Sequence, residues 1–237
     1  MNATPFGVNR KTARIAGFLY LIVVVTGIFS LAYVPSQLIV SGDAAQTYRN
    51  ILSSEQLFRA GILSSAVCYL AFLLLPFVLY RLLGHIDETA AKLMVIFSVV
   101  SVPISLLNLQ DRYAVLALIH SSDHLLAVDV SQNYAKLNYL LQNYSNGLLI
   151  AQIFWGLWLL PLGYLVFRSG FLPRILGLFL MIGCFGYLLN FICRTLMVDF
   201  GATAVSGYVT MPAAFGEIGT CLWLLIRGIR SDSLQDN

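Results

Sequence analysis

The stretch LMVIFSVVSVPISLLNLQDRYAVLALI, residues 93–119, is long and apolar enough to cross a membrane as one helix. A helix of about 20 apolar residues spans the hydrocarbon core of a bilayer. Five other stretches meet the same criterion, which gives six predicted spans. They are residues 15–34, 60–80, 93–119, 148–167, 175–193 and 208–226.

The composition of the whole chain agrees with this pattern. Its 237 residues are 59% hydrophobic and only 11% charged, with a mean hydropathy of +0.81, whereas about 25% of the residues in a soluble domain are charged. The connections between spans are too short to fold separately. We therefore predict an all-α polytopic membrane protein, with one domain over residues 1–237 and six transmembrane helices in one bundle.

The distribution of lysine and arginine predicts the orientation of this bundle, because cytoplasmic loops of membrane proteins are enriched in both. With the N-terminus inside, nine of the 14 basic residues lie at cytoplasmic ends of spans. They are Arg10, Lys11, Arg14, Arg81, Lys92, Arg168, Arg174, Arg227 and Arg230. We therefore expect both termini in the cytoplasm. The charge of +3 reflects this bias, and no basic run indicates a nucleic-acid partner.

The third span carries a polar stripe. Steps of three and four residues separate its five polar side chains, so all five lie on one helix face. They are Ser98, Ser101, Ser105, Asn108 and Arg112. Asp111 lies beside the stripe, and Glu217 interrupts the last span. Polar groups inside a membrane usually face the bundle interior or a water-filled space.

Seven polar residues are predicted to lie in the outer half of the membrane, from a rise of 1.5 Å per residue along each span. They are Asn108, Asp111, Arg112, Gln152, Asn190, Arg194 and Glu217. One interpretation is an outward-facing site that binds or passes a small polar ligand or a lipid. The alternative is a structural or regulatory membrane protein whose polar groups only hold helices together.

The sequence gives little support to an enzyme. His120, Asp123 and His124 have the spacing of metal ligands on a helix, which leaves a metal-dependent intramembrane hydrolase as a third interpretation. The motif lacks the glutamate that acts as general base in metalloproteases, and no histidine lies in the spans to activate a serine nucleophile. The four cysteines show no CxxC spacing, and no glycine-rich phosphate loop is present, so we expect no cofactor.

Several stretches resemble a bacterial membrane-protein family known as domain of unknown function 4386. They are RIAGFLY at 14–20, GDAA at 42–45, NIL at 50–52, LFR at 57–59, FWGLW at 154–158, GYLVFRSGFLPRILG at 163–177, FGEIG at 215–219 and WLLIRG at 223–228. The resemblance implies a six-helix protein of the bacterial inner membrane, in contact with membrane lipids, and implies no activity. The sequence does not determine an oligomeric state.

Overall fold

The computed structural model describes residues 9–121, 130–197 and 200–228. In these ranges the chain forms eight α-helices and no strand. The helices are α1 (Arg10–Ile28), α2 (Val34–Leu38), α3 (Ala44–Ser53), α4 (Glu55–Leu83), α5 (Glu88–Ser121), α6 (Val130–Arg168), α7 (Arg174–Leu196) and α8 (Ala204–Ile226). Six helical segments are long and apolar enough to cross a membrane. The predicted all-α fold with six spans is confirmed.

The first span is one continuous rod from Arg10 to Leu38, built from α1, a π-helix at Phe29–Tyr33 and α2. Pro35 is the second residue after the π-helix, and the carbonyl four residues before it, that of Leu31, lies within the π-helix. Proline has no N–H, and its ring collides with the carbonyl four residues earlier in a regular α-helix. The wider π turn accommodates this ring while the chain continues in the same direction.

The six spans run alternately up and down and form a closed ring. Each packs against its neighbour in sequence, and α8 packs back against α1. We call the two ends of the bundle the terminal face and the far face. The terminal face carries Arg10, Leu83, Glu88, Arg168, Arg174 and Ile226, and the far face carries Leu38, Glu55, Ser121, Leu196 and Ala204.

Small residues let the helices approach closely, as is common where transmembrane helices pack. A Cβ atom added to Gly17 of α1 would lie 2.7 Å from the backbone nitrogen of Leu225 in α8. One added to Gly183 of α7 would lie 2.6 Å from the Cα atom of Ala213. The backbone of α8 is therefore in direct contact with the helices on both sides of it.

The short helix α3 lies at the far face. Its first turn is capped by Asp43, whose Oδ1 accepts a hydrogen bond of 2.8 Å from the backbone N–H of Gln46. Its buried residues Thr47 and Ile51 face the bundle, and Ile51 belongs to an apolar cluster with residues of α2, α4, α5 and α6. This helix therefore covers part of the far face.

The fourth span is longer than its apolar stretch. Helix α6 runs without interruption from Val130 to Arg168 and includes Gly147. Gly147 packs against the side chain of Asn108, which an added Cβ atom would overlap. The residues before 148 are thus an extension of the span, held against α5.

Candidate functional site

A cavity of about 450 Å³ lies inside the bundle. It is lined by residues of α1, the π-helix, α4, α6, α7 and α8, whereas no residue of α5 lines it. Cavities of about 300–1,000 Å³ are typical of small-molecule sites in proteins. The cavity is therefore of a size that holds a ligand, and it lies away from the polar stripe that marked the third span.

Glu217 is the charged residue of this cavity; no other acidic side chain and no basic side chain of the described residues lines it. Along α8 its Cα atom lies about 14 Å from the terminal face and about 20 Å from the far face, from a rise of 1.5 Å per residue. The hydroxyl of Tyr20 donates a hydrogen bond of 3.2 Å to Glu217 Oε1. A carboxyl group thus lies near mid-membrane with one hydrogen bond from the described part of the protein.

Aromatic rings make up much of the cavity wall. Trp158 is 1% exposed, and its ring packs edge-on against Phe72, with centroids 4.8 Å apart and planes at 87°. The ring of Tyr20 lies 6.1 Å from Trp158 on another side. Trp155 and Tyr69 pair at 6.4 Å and line the cavity from α6 and α4. Such interlocked rings hold one another in place, so the wall is preorganised.

The cavity opens sideways between the first and last spans. Four of its lining residues are exposed, and all four lie on these two spans. They are Ile28, Ala32, Ala214 and Ile218. Toward the terminal face the gap closes, because Gly17 contacts the α8 backbone and Cys221 Sγ lies 3.6 Å from the carbonyl oxygen of Gly17.

The π-helix borders the same opening, since Leu31 and Ala32 line the cavity. In this segment the N–H of Val34 donates to the carbonyl oxygen of Phe29, five residues earlier. The wider turn shifts the side chains that follow relative to a regular helix. Short π segments within α-helices are frequent at functional sites, and here the segment shapes one edge of the opening.

Arg112 belongs to a separate group between α4, α5 and α6. Its side chain is 8% exposed, and its guanidinium carbon lies 4.0 Å from the ring centroid of Tyr144 and 5.3 Å from that of Phe58. Among the described residues no carboxylate lies within 4 Å of its nitrogens. Asp111 points elsewhere and accepts a hydrogen bond of 3.5 Å from Asn143. Arg112 is therefore held by aromatic faces, not by Asp111 or Glu217.

A third polar group links α6, α7 and α8. The amide of Asn190 donates to Gln152 Oε1 over 2.9 Å, and its oxygen accepts from the hydroxyl of Ser206 over 2.8 Å. One turn further along α7, Arg194 donates to Ser145 Oγ over 3.5 Å. The Asn190 amide has a donor and an acceptor partner, so this group is suited to hold three helices together.

The serine stripe of the third span is satisfied within its own helix. The hydroxyls of Ser98, Ser101 and Ser105 donate to carbonyl oxygens three or four residues earlier, at 2.7, 2.7 and 2.9 Å. All three are at most 1% exposed. Asn108 donates across to the carbonyl oxygen of Tyr144 over 2.8 Å. These residues let α5 pack closely instead of facing a ligand space.

The seven residues predicted as one site thus occupy separate places in the bundle. The expectation of a shared interior with Asp111, Arg112 and Glu217 together is not met, because helical spacing gives the face of each helix but not which faces meet. The prediction lacked the tyrosines and tryptophans of the cavity wall, which are Tyr20, Tyr69, Trp155, Trp158 and Tyr187. Only a carboxyl group inside an apolar span pointed to this region, since aromatic residues in a span resemble any other apolar residue.

Of the proposed metal ligands, the structure describes His120. His120 Nδ1 lies 2.8 Å from the carbonyl oxygen of Leu116, and its Nε2 lies 3.6 Å from Glu55 Oε1. Asp123 and His124 lie outside the described residues. Within the described ranges no three histidine, cysteine or acidic side chains are grouped so as to hold a metal ion.

The comparisons match the chain to a relative over about a third of its length and to a family profile over most of it. An uncharacterized protein of Archaeoglobus fulgidus is 35% identical over 79 residues, which are 33% of this chain and 44% of that protein. This match thus covers less than half of either protein. No solved structure is significantly similar to the chain. The sequence profile of the family described as Domain of unknown function (DUF4386) matches residues 15–228. The chain therefore belongs to the DUF4386 family, as its sequence motifs predicted.

Proposed function

We propose that this protein binds an amphiphilic small molecule or a lipid from within the membrane. The polar group of the ligand lies at Glu217, and its apolar part extends through the opening between α1 and α8. The observation that carries this proposal is the combination of an interior carboxyl group with a cavity whose rim residues are exposed on the lipid-facing surface.

The chemistry of the wall supports the same conclusion. A soluble polar ligand needs several polar contacts, whereas most of this wall is aromatic or aliphatic. A route through the rim passes Ile28 and Ile218, which are 54% and 37% exposed. Molecules dissolved in the bilayer reach such a rim directly.

The alternative, a purely structural role for Glu217, is less consistent with its surroundings. Structural polar groups in this bundle, such as Asn190, pair with neighbours on two sides. Glu217 receives one hydrogen bond from the described residues, and it borders empty space. An unpaired carboxyl group in a membrane is costly, and function is its usual explanation.

We further propose that the protein lies in the plasma membrane with its terminal face in the cytoplasm. The excess of lysine and arginine at that end of the bundle supports this orientation.

Quenching of tryptophan fluorescence tests the binding proposal. The chain has three tryptophans, and in a Trp223→Phe protein the two that remain, Trp155 and Trp158, both line the cavity. Purified in dodecyl maltoside micelles, this protein is titrated with a bromine-labelled dodecyl amphiphile. We expect saturable quenching that an unlabelled amphiphile reverses.

A matched pair of variants separates the cavity from the general surface. Ala214→Phe places a ring at the cavity rim, whereas Ala60→Phe places the same ring on exposed surface of α4 outside the cavity. Ala214→Phe should weaken binding by about tenfold or more, equivalent to about 1.4 kcal/mol, and Ala60→Phe should leave it unchanged. Equal quenching of both variants would show that the probe binds elsewhere and would refute the proposal.

A further inference from the structure

We propose that the Glu217 cavity selects amphiphiles whose polar group is an ammonium cation. This inference rests on the proposed function and specifies the ligand class. The recognition element is a carboxyl group combined with the surrounding aromatic rings. Its parts come from five different spans, so only the folded bundle creates it.

The charge balance of the cavity favours a cationic ligand. No lysine, arginine or histidine among the described residues lines the cavity, and none lies within 4 Å of the Glu217 carboxylate. Arg112 and Arg194, two arginines of the spanning helices, contact other groups: Arg112 lies against Tyr144, and Arg194 donates to Ser145. An ammonium group bound beside Glu217 would therefore meet no competing positive charge among the described residues.

The aromatic wall of the cavity also favours a cation. Trp155, Trp158, Tyr20, Tyr69 and Tyr187 all line the cavity. Tryptophan and tyrosine rings attract cations through the negative potential of their faces, and rings arranged around a cavity are a common means of binding quaternary ammonium groups. An anionic headgroup would meet the same rings and a carboxyl group, which both repel it.

The lateral opening of the cavity favours a ligand with an apolar tail. A free ammonium ion in water would have to cross apolar surface to reach Glu217, whereas an amphiphile can leave its chain among Ile28, Ala214 and Ile218 at the rim. The ammonium carrier is therefore a molecule with an apolar tail. Both a lipid with an ammonium headgroup and a free amphiphilic cation have this chemistry.

The test compares two probes that differ in net charge and little in size, dodecyltrimethylammonium and dodecyldimethylamine oxide. Both are titrated into the Trp223→Phe protein in dodecyl maltoside micelles, and the change in fluorescence of Trp155 and Trp158 is followed. We expect the ammonium probe to bind at least about tenfold more tightly than the amine oxide. The substitution Glu217→Gln should remove this difference while binding of the amine oxide remains.

A second pair of variants keeps the inference testable should Glu217→Gln not fold. Tyr187→Phe retains an aromatic ring, and Tyr187→Leu removes it. We expect binding of the ammonium probe to be kept in the first and reduced several-fold in the second, because the ring face attracts the cation. Equal effects of the two substitutions on both probes would count against an aromatic contribution and overturn the inference.

The outcomes separate this inference from the proposed function. If both probes bind equally and Ala214→Phe weakens both, the cavity binds amphiphiles without selecting cations, and only the inference fails. If neither probe binds, both proposals fail. Competition by added phosphatidylethanolamine would identify a lipid headgroup as the source of the ammonium group, and lack of competition would identify a free amphiphilic cation.

Discussion

Replacing Gly17 with alanine should loosen the contact between α1 and α8 that closes the cavity toward the terminal face. The added Cβ atom would lie 2.7 Å from the backbone nitrogen of Leu225, whereas ordinary contact begins at 3.4 Å. The two helices must therefore separate locally by about 0.7 Å, the difference between these distances. The neighbouring atoms belong to backbone, so no side-chain rotation relieves the clash.

The magnitude follows from two opposing effects. Overpacking of a close contact costs about 1–3 kcal/mol, and alanine gains up to about 1 kcal/mol over glycine in helix propensity. We expect a net loss of about 1–2 kcal/mol in the free energy of unfolding. Gly207 is the matched control, because nothing lies within 4 Å of a Cβ atom added there. Gly207→Ala should leave the stability unchanged or increase it.

The assay is reversible unfolding in mixed micelles of dodecyl maltoside and dodecyl sulfate, followed by far-ultraviolet circular dichroism. Fluorescence of Trp155 and Trp158 gives a second readout, since a shift of α1 alters their cavity. If Gly17→Ala unfolds at the same dodecyl sulfate fraction as Gly207→Ala, then α1 and α8 are not in backbone contact at Gly17, and the reasoning is refuted.

Three further predictions concern the other groups. Tyr144→Leu should destabilise the protein by about 2 kcal/mol more than Tyr144→Phe in the same unfolding assay, because only phenylalanine keeps a ring against the buried guanidinium of Arg112; equal effects would contradict this. Asn190→Leu should lower the free energy of unfolding by about 1–2 kcal/mol, because it removes two interhelical hydrogen bonds. Such bonds in membranes contribute about 0.6 kcal/mol on average and at most about 1.7. An unchanged free energy of unfolding would show that the two bonds do not stabilise the protein. A cysteine at the exposed position of Ser41 should react with a membrane-impermeant maleimide in intact cells, whereas one at exposed His85 should react only after permeabilisation; the reverse pattern would invert the proposed orientation.

The spans were predictable because a membrane imposes a simple rule. Every backbone group in hydrocarbon must be satisfied within its own segment, so apolar stretches of sufficient length become helices. The helices extend beyond the apolar stretches, as α5 does from Glu88 to Ser121 around residues 93–119. The Asp43 cap at the far face is likewise a local feature, since it depends only on residues three positions apart.

The site was predicted less well. The stripe of Ser98, Ser101 and Ser105 has the spacing of a functional face, but each hydroxyl bonds to its own helix. Short-range back-bonding of serine produces the same pattern as a polar pocket wall, so spacing alone does not distinguish the two. Glu217 does line the cavity. Its position in an apolar span indicated a buried polar site, because the cost of a carboxyl group in hydrocarbon does not depend on its neighbours in sequence.

The sequence by itself determined the class of protein, its six spans, its family and the presence of buried polar groups, because hydropathy and charge are properties of single segments. Only the tertiary structure decided which groups meet. Arg112 stacks on Tyr144, Asn190 bonds to Gln152 and Ser206, and Glu217 shares a cavity with Tyr20 and the tryptophans of α6. The physical reason is that packing between apolar helices depends on the shapes of their surfaces at every contact, and helical periodicity does not encode those shapes.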